Sequence, residues 1–256
     1  MVEIKQNIAA RINKELEALL STLNGNTSKI EEIITLFIKE TPQLFKQIQQ
    51  YINQEKWYNA AALVHKVKIR YGYLGLEDIL TDLSHWEDNL TINAGSINNT
   101  LILDHFIKTN NDILRELKKL KFYHSPISKT IKCLPLLGKQ VLIAEDDEVN
   151  AMVFDLFVKE TGASTVIVTD GNAALKVVYD RMPDMIFMDV HMPFFSGLDA
   201  IKKLRENKIT CPIVSLSAST RLNERQNSLD AGANDFLVKP ANRESINMMM
   251  MKYLDR

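Results

Sequence analysis

Two patterns of apolar spacing divide this chain. Up to about residue 121, apolar positions recur at intervals of three and four, which predicts amphipathic helices. From Lys139 onward, short apolar runs alternate with amphipathic stretches, which predicts βαβ units and a parallel sheet. The stretch from Asp184 to Pro193 organises the second half. Met185 to Met188 reads as a buried strand, ends in Asp189, and is followed by Pro193, so the strand cannot simply continue.

In the first half, Asn24-Gly25-Asn26-Thr27-Ser28 predicts a turn with Thr27 or Ser28 as N-cap and Glu31 completing a capping box. The following helix carries Ile30, Ile33, Ile34, Phe37 and Ile38. Thr41-Pro42 predicts its end, with Pro42 in the first turn of another helix presenting Leu44, Phe45, Ile48 and Tyr51. Further helices are expected from Lys56-Trp57 to about Gly72, from Leu76 to Leu90, and from Ile97 or Asn98 to about Lys119. Short connections between them argue for an antiparallel bundle.

Residues 122–138 contain Pro126 and Pro135 and lose periodicity, as an interdomain connection does. Their apolar residues, Leu136 and Leu137 among them, predict that part of the segment docks on a domain. In the second half, strands are expected at Gln140–Ala144, Thr165–Val168, Met185–Met188, Ile213–Leu216 and Phe236–Val238, with helices starting near Val149, Asn172, Gly197, Leu222 and Glu244. Five strand–helix repeats suit a doubly wound, flavodoxin-like parallel sheet, which binds ligands at the carboxyl ends of its strands.

The chain has 256 residues, is 46% hydrophobic and carries a net charge of -1, a globular profile with no bulk pull toward nucleic acid or anionic membrane. Two cysteines are too few for a disulfide framework, the amino terminus is too polar for a signal peptide, and no apolar run could span a bilayer. A cytoplasmic protein is the expectation. The nine glycines form neither G-x-G nor a P-loop, so an ATP-binding kinase domain is not expected and another molecule must supply any phosphoryl group. Met248-Met249-Met250-Met251 points around a helix and cannot converge on one ion, so core filling or an adaptable interface is expected.

The predicted strand ends carry the chemistry. Glu145-Asp146-Asp147, Asp189, Ser217-Ala218 and Lys239-Pro240 all fall on one edge of the sheet. Carboxylates converging there repel one another unless a cation sits among them, and oxygen ligands with an open position suit Mg²⁺. A lysine and a hydroxyl opposite them suit the oxygens of a transferred phosphoryl group. Each residue alone has an ordinary reading as cap or surface group. Four strand ends together are harder to obtain by chance.

These residues, with Met188-Asp189-Val190-His191-Met192-Pro193, Phe236-Leu237-Val238-Lys239-Pro240 and Ala231-Gly232-Ala233, resemble a response-regulator receiver domain spanning 139–256. The resemblance implies Asp189 as phospho-acceptor and Mg²⁺ on Glu145, Asp146, Asp189 and the backbone carbonyl of His191. It further implies Ser217 and Lys239 on the phosphoryl group, Phe236 as the aromatic switch and a cis Lys239-Pro240 bond. Asn150 resembles the receivers of hybrid sensor kinases.

In the first half, His65 lies mid-helix with Lys68 three positions on, and Lys66 and Arg70 add positive charge. Cations beside an imidazole make a poor metal site but would stabilise phosphoryl charge on a nucleophilic ring. On local features alone, a surface or half-buried histidine is the plainer reading. His65-Lys66-Val67-Lys68, with Leu74-Gly75 downstream and Phe37, Thr41-Pro42 and Trp57 around it, resembles a histidine-containing phosphotransfer (HPt) domain over residues 15–121. The resemblance implies a four-helix bundle with His65 as a second phospho-acceptor and Lys68 beside it. Ile69 departs from it: the family has a small residue there, and a β-branched one is expected to hinder docking at His65.

The expectation is a two-component phosphorelay protein: an HPt-like bundle over 1–121, a linker over 122–138 and a receiver over 139–256. Phosphoryl transfer would run between a histidine and Asp189 with Mg²⁺. The partners would be a sensor histidine kinase or hybrid kinase and other receiver or HPt domains, and the resemblance also admits a homodimer. No DNA-binding output domain is expected after Arg256. The alternative is a receiver switch fused to a docking or dimerisation bundle whose His65 is inactive. A Mg²⁺-dependent phosphatase would need a second carboxylate two residues after the nucleophile, where this chain has His191.

Overall fold

A computed structural model describes residues 8, 10–15, 17, 27–92, 98–120, 135–217 and 222–255. The chain divides into two compact units, Met1–Lys129 and Thr130–Arg256. The expected turn at Asn24-Gly25-Asn26, most of the expected linker, Ala218 and Arg256 lie outside the described residues.

The first unit is helical: α1 Thr27–Asn53, α2 Trp57–Gly72, α3 Glu77–Ile92 and α4 Asn99–Leu117. Residues 10–15 are helical as well. Helix α2 packs on both α1 and α3, and α1 also meets α4. The buried positions of α1 (Ile30, Ile34, Phe37, Thr41, Phe45, Ile48 and Ile52) keep to intervals of three and four along its whole length. Phe37 stacks on Tyr71 and Trp86 on Phe106, with ring centroids 5.9 and 5.2 Å apart. Buried polar groups on these rings are satisfied: the Tyr71 hydroxyl donates to Asn110 Oδ1 at 2.8 Å, and the Trp86 indole donates to Asn99 Oδ1 at 3.1 Å.

Two local expectations are corrected here. Pro42 neither ends nor starts a helix; it sits inside α1. An interior proline costs about 3 kcal/mol, but the apolar stripe continues on both sides of it, and each fully buried large side chain contributes about 1.5–3 kcal/mol. The turn before it is also held from outside. Arg70, 2% exposed, pairs with Glu40 at 3.1 Å and donates to Thr41 Oγ1 at 3.4 Å. Thr27 and Ser28 are both inside α1, so neither is its cap. Asn98, one of the two expected starts of the last helix, caps α4 by accepting from the Leu101 amide.

The second unit holds a five-stranded parallel sheet in the order β2-β1-β3-β4-β5: β1 Gln140–Ala144, β2 Ser164–Val168, β3 Met185–Asp189, β4 Ile213–Ser217 and β5 Asp235–Val238. Helices α5 Glu148–Lys159, α6 Gly171–Asp180, α7 Gly197–Glu206, α8 Leu222–Asp230 and α9 Arg243–Leu254 alternate with the strands, the flavodoxin-like arrangement expected. β3 and β4 are buried throughout, as strands covered on both faces must be. Four helix starts are capped by short polar side chains: Asp147, Asp170, Ser196 and Asn242.

Leu136 is buried and its amide donates to the Thr161 carbonyl, so this end of the expected linker is docked on the second unit. Met249 and Met250 are buried while Met248 is exposed, as side chains pointing around a helix require. At the amino ends of the strands, Arg205 at the end of α7 donates to the carbonyls of Gly232, Ile209 and Cys211 and to Asn234 Oδ1, at 2.6–3.2 Å. Asn234 Oδ1 also accepts from the Ile213 amide at 2.8 Å. Among the described residues, no helix is long and apolar enough to cross a membrane.

Candidate functional site

The strand register fixes which residues meet. Ala144 pairs with Met188, Asp189 with Leu216 and Ser217 with Val238, so Glu145, Asp189, Ser217 and Lys239 all arrive at the same edge of the sheet. Tight packing behind β3 holds Asp189 there. A Cβ added at Gly197, the first residue of α7, would lie 1.8 Å from the Asp189 carbonyl oxygen. Only glycine permits that approach.

Lys239, with 2% of its side chain exposed, reaches both carboxylates. Its Nζ is 2.8 Å from Asp189 Oδ2 and contacts Glu145 Oε2 directly. Glu145 is 1% exposed and also accepts from the Asn150 side-chain amide at 3.2 Å. Burial pushes the Glu145 carboxyl up to about 8; Lys239 opposes the shift and Asp189 adds to it. Burial disfavours the Lys239 ammonium, yet Asp189 and Glu145 outweigh it and the net shift is upward. Asp189 Oδ1 accepts from the His191 amide at 3.1 Å.

Carboxylate oxygens of Glu145, Asp146 and Asp189 lie within 4.8 Å of one another. One lysine cannot balance three carboxylates in a site this dry. The raised Glu145 carboxyl comes first from its burial, and the charges of Asp189 and Asp147 add to it. An all-oxygen donor set with surplus negative charge fits a hard divalent cation such as Mg²⁺. In the same wall, Asn150 Oδ1 is buried without a hydrogen-bond partner.

Residues 141–250 match the response regulator receiver domain family. The second unit is a response regulator receiver. Regulator of RpoS from Escherichia coli K12 is 34% identical over 106 residues, 41% of this chain and 32% of that protein. Sensor protein GacS from Pseudomonas syringae is 30% identical over 119 residues, 44% of this chain and 13% of its own length. The alkaline phosphatase synthesis regulator PhoP of Bacillus subtilis is 28% identical over 120 residues, 47% of this chain and 50% of that protein. The chain thus spans half or less of these relatives. Among solved structures, the receiver domain of a sensor histidine kinase from Pseudomonas aeruginosa PAO1, with a magnesium ion in its active site cleft, is 30% identical, covers 46% of this chain and 99% of its own, and has a TM-score of 0.44.

Two receiver contacts have no sequence signal. Glu224, in the first turn of α8, accepts from the Ser217 hydroxyl, and its Oε2 lies 3.8 Å from His191 Nε2. The Glu224 hydrogen bond, with Asp189 behind it, raises the His191 imidazole above its ordinary value against the opposing effect of burial. Phe236 is half-buried on β5, in register with Ser215, and the Lys239-Pro240 bond is cis as expected.

In the helical unit, His65 and Lys68 do share a face, but an unforeseen residue joins them. Glu87 of α3 accepts from Lys68 Nζ at 2.6 Å, and its other oxygen is 2.7 Å from His65 Nδ1. Glu87 is held below the usual carboxylate range: its hydrogen bonds and ion pairs with His65 and Lys68 outweigh a burial effect that is individually the largest. Two expectations about this face are corrected. Arg70 does not add charge beside His65, because five residues along a helix carry it round to Glu40. Ile69, one turn from His65, is 3% exposed and packs into the bundle core, so little of it is presented to a docking partner.

Proposed function

We propose that this chain is a phosphorelay protein of two-component signalling, with an HPt-like bundle over 1–121, a linker over 122–138 and a receiver over 139–256. In this reading Asp189 is the phospho-acceptor. One observation carries it: a single buried lysine bridges Asp189 and Glu145 at the carboxyl edge of the sheet, with Asp146 beside them.

Asp189 attacks the phosphorus of a phosphohistidine. The new O–P bond forms as the P–N bond breaks, and the imidazole nitrogen keeps the electron pair. Lys239, already at the acceptor oxygen, holds one phosphoryl oxygen, and Ser217 donates its hydroxyl proton to another. Glu145, Asp146, Asp189 and the His191 carbonyl would hold Mg²⁺, which when bound neutralises phosphoryl charge. Phe236 would then repack as the strand end adjusts. The donor is the phosphohistidine of a sensor or hybrid histidine kinase, or of an HPt domain.

His65 is the second phospho-acceptor in this reading. With Nδ1–H donating to Glu87, the lone pair lies on Nε2, the nitrogen that attacks. Lys68 would serve the added charge. The alternative, a docking or dimerisation bundle with an inactive His65, is favoured by one observation: only 18% of the histidine side chain is exposed.

Intact mass after treatment with Mg²⁺ and acetyl phosphate tests both. A Mg²⁺-dependent gain of one phosphoryl group, absent in Asp189→Asn, is expected; no gain overturns the assignment. A base-stable fraction lost in His65→Gln supports the relay, and its absence favours the docking bundle.

A further inference from the structure

Ser217 is fully buried at the end of β4, and its hydroxyl proton is committed to Glu224. A serine hydroxyl has one proton to donate. In the proposed transfer that proton belongs on a phosphoryl oxygen at Asp189, which pairs in the sheet with Leu216, the residue before Ser217. Glu224 and the phosphoryl group therefore compete for the same donor. Glu224 is suited to give it up. With 26% of its side chain exposed, it has access to water, and His191 Nε2 stands 3.8 Å from the same oxygen that Ser217 contacts.

The geometry points to Glu224 as a latch on Ser217: it holds the hydroxyl away from the acceptor at rest, and releases it to the phosphoryl group while remaining beside His191. This rests on the assignment of Asp189 as phospho-acceptor. Glu224 does not touch the reacting atoms; it is a positioning residue acting through Ser217. It also opens α8, so its release transmits the state of Asp189 to the first turn of that helix.

The test is a double-mutant cycle on the full chain. Initial rates of acetyl phosphate labelling are read by intact mass for wild type, Glu224→Ala, Ser217→Ala and the double variant, with Mg²⁺ fixed. In each reaction the P–O bond to acetate breaks as the bond to Asp189 forms, and acetate leaves. Glu224→Ala is expected to label about tenfold faster, the effect of removing one hydrogen bond to a charged group. In the Ser217→Ala background the same change should alter the rate less than about twofold. Glu224→Gln, which keeps an acceptor but loses the charge, should fall between wild type and Glu224→Ala. Equal acceleration in both backgrounds, or none in either, overturns the latch while leaving Asp189 as acceptor. Failure of wild type to label at all removes the acceptor assignment, and the latch with it.

Discussion

The ammonium of Lys239 lies 2.8 Å from the carboxylate of Asp189, inside a site where neither side chain is more than 7% exposed. A buried charge pair is costly to break because the remaining charge is left unmatched. Lys239→Ala should therefore leave Asp189 and Glu145 facing each other across a dry gap. The variant should lose about 3 kcal/mol of stability without metal, and Mg²⁺ should restore more of its melting temperature than it adds to wild type. Calorimetry with and without Mg²⁺ checks this; equal metal effects would count against the site.

Glu145 makes the receiver pH-sensitive. Its carboxyl is raised to about 8 in the folded protein, above its ordinary value of 4.5. Between those values the folded state holds a proton that the unfolded chain has released. This group's contribution to stability is complete below the lower value and is lost as pH rises to about 8. Denaturant titrations in chelator should show that decline in wild type and its absence in Glu145→Gln. Mg²⁺, which displaces the proton, should flatten the wild-type curve.

Gly197→Ala places a methyl group where the Asp189 carbonyl already sits. Overpacking against backbone cannot be relieved by a rotamer change, so a loss of about 3 kcal/mol or more is expected. Labelling of Asp189 should fall with it. A native melting temperature would show that α7 can shift without disturbing β3.

Ile69→Gly should destabilise the bundle by about 4 kcal/mol, combining the loss of a buried side chain with glycine in a helix interior. It should not speed transfer to His65, because the Ile69 side chain is buried and not presented to a docking partner. Thermal melting and labelling rates separate the two effects.

Glu87→Ala should remove the hydrogen-bond acceptor at His65 Nδ1. Nitrogen NMR should find the Nδ1–H form dominant in wild type and reduced in the variant. An unchanged ring would mean the Glu87 contact does not set the tautomer.

Much of the receiver was legible because two independent signals coincide there. Apolar runs locate the strands, and each run breaks on a polar residue that has no business in a core: Glu145, Asp189, Ser217, Lys239. The helical half offered only periodicity, and periodicity does not say which helices touch. Glu87 was missed because its meeting with His65 depends on how α2 lies against α3. Glu224 was missed for the same reason: nothing in the chain joins it to Ser217 except the packing of α8. Pro42 misled because its local preference was weaker than the stripe of buried residues running through it. Ile69 misled because spacing places it one turn from His65 but does not say how fully the neighbouring helices cover it.

Arg205 has a mechanical consequence. By clamping the turns that lead into β4 and β5, it pins the amino ends of both strands to α7 and to each other. At the opposite ends the Lys239 amide donates to the Ser217 carbonyl. The two strands are thus tied to each other at both ends, and the hydroxyl and the ammonium of the site ride on one paired edge instead of on two independent loops.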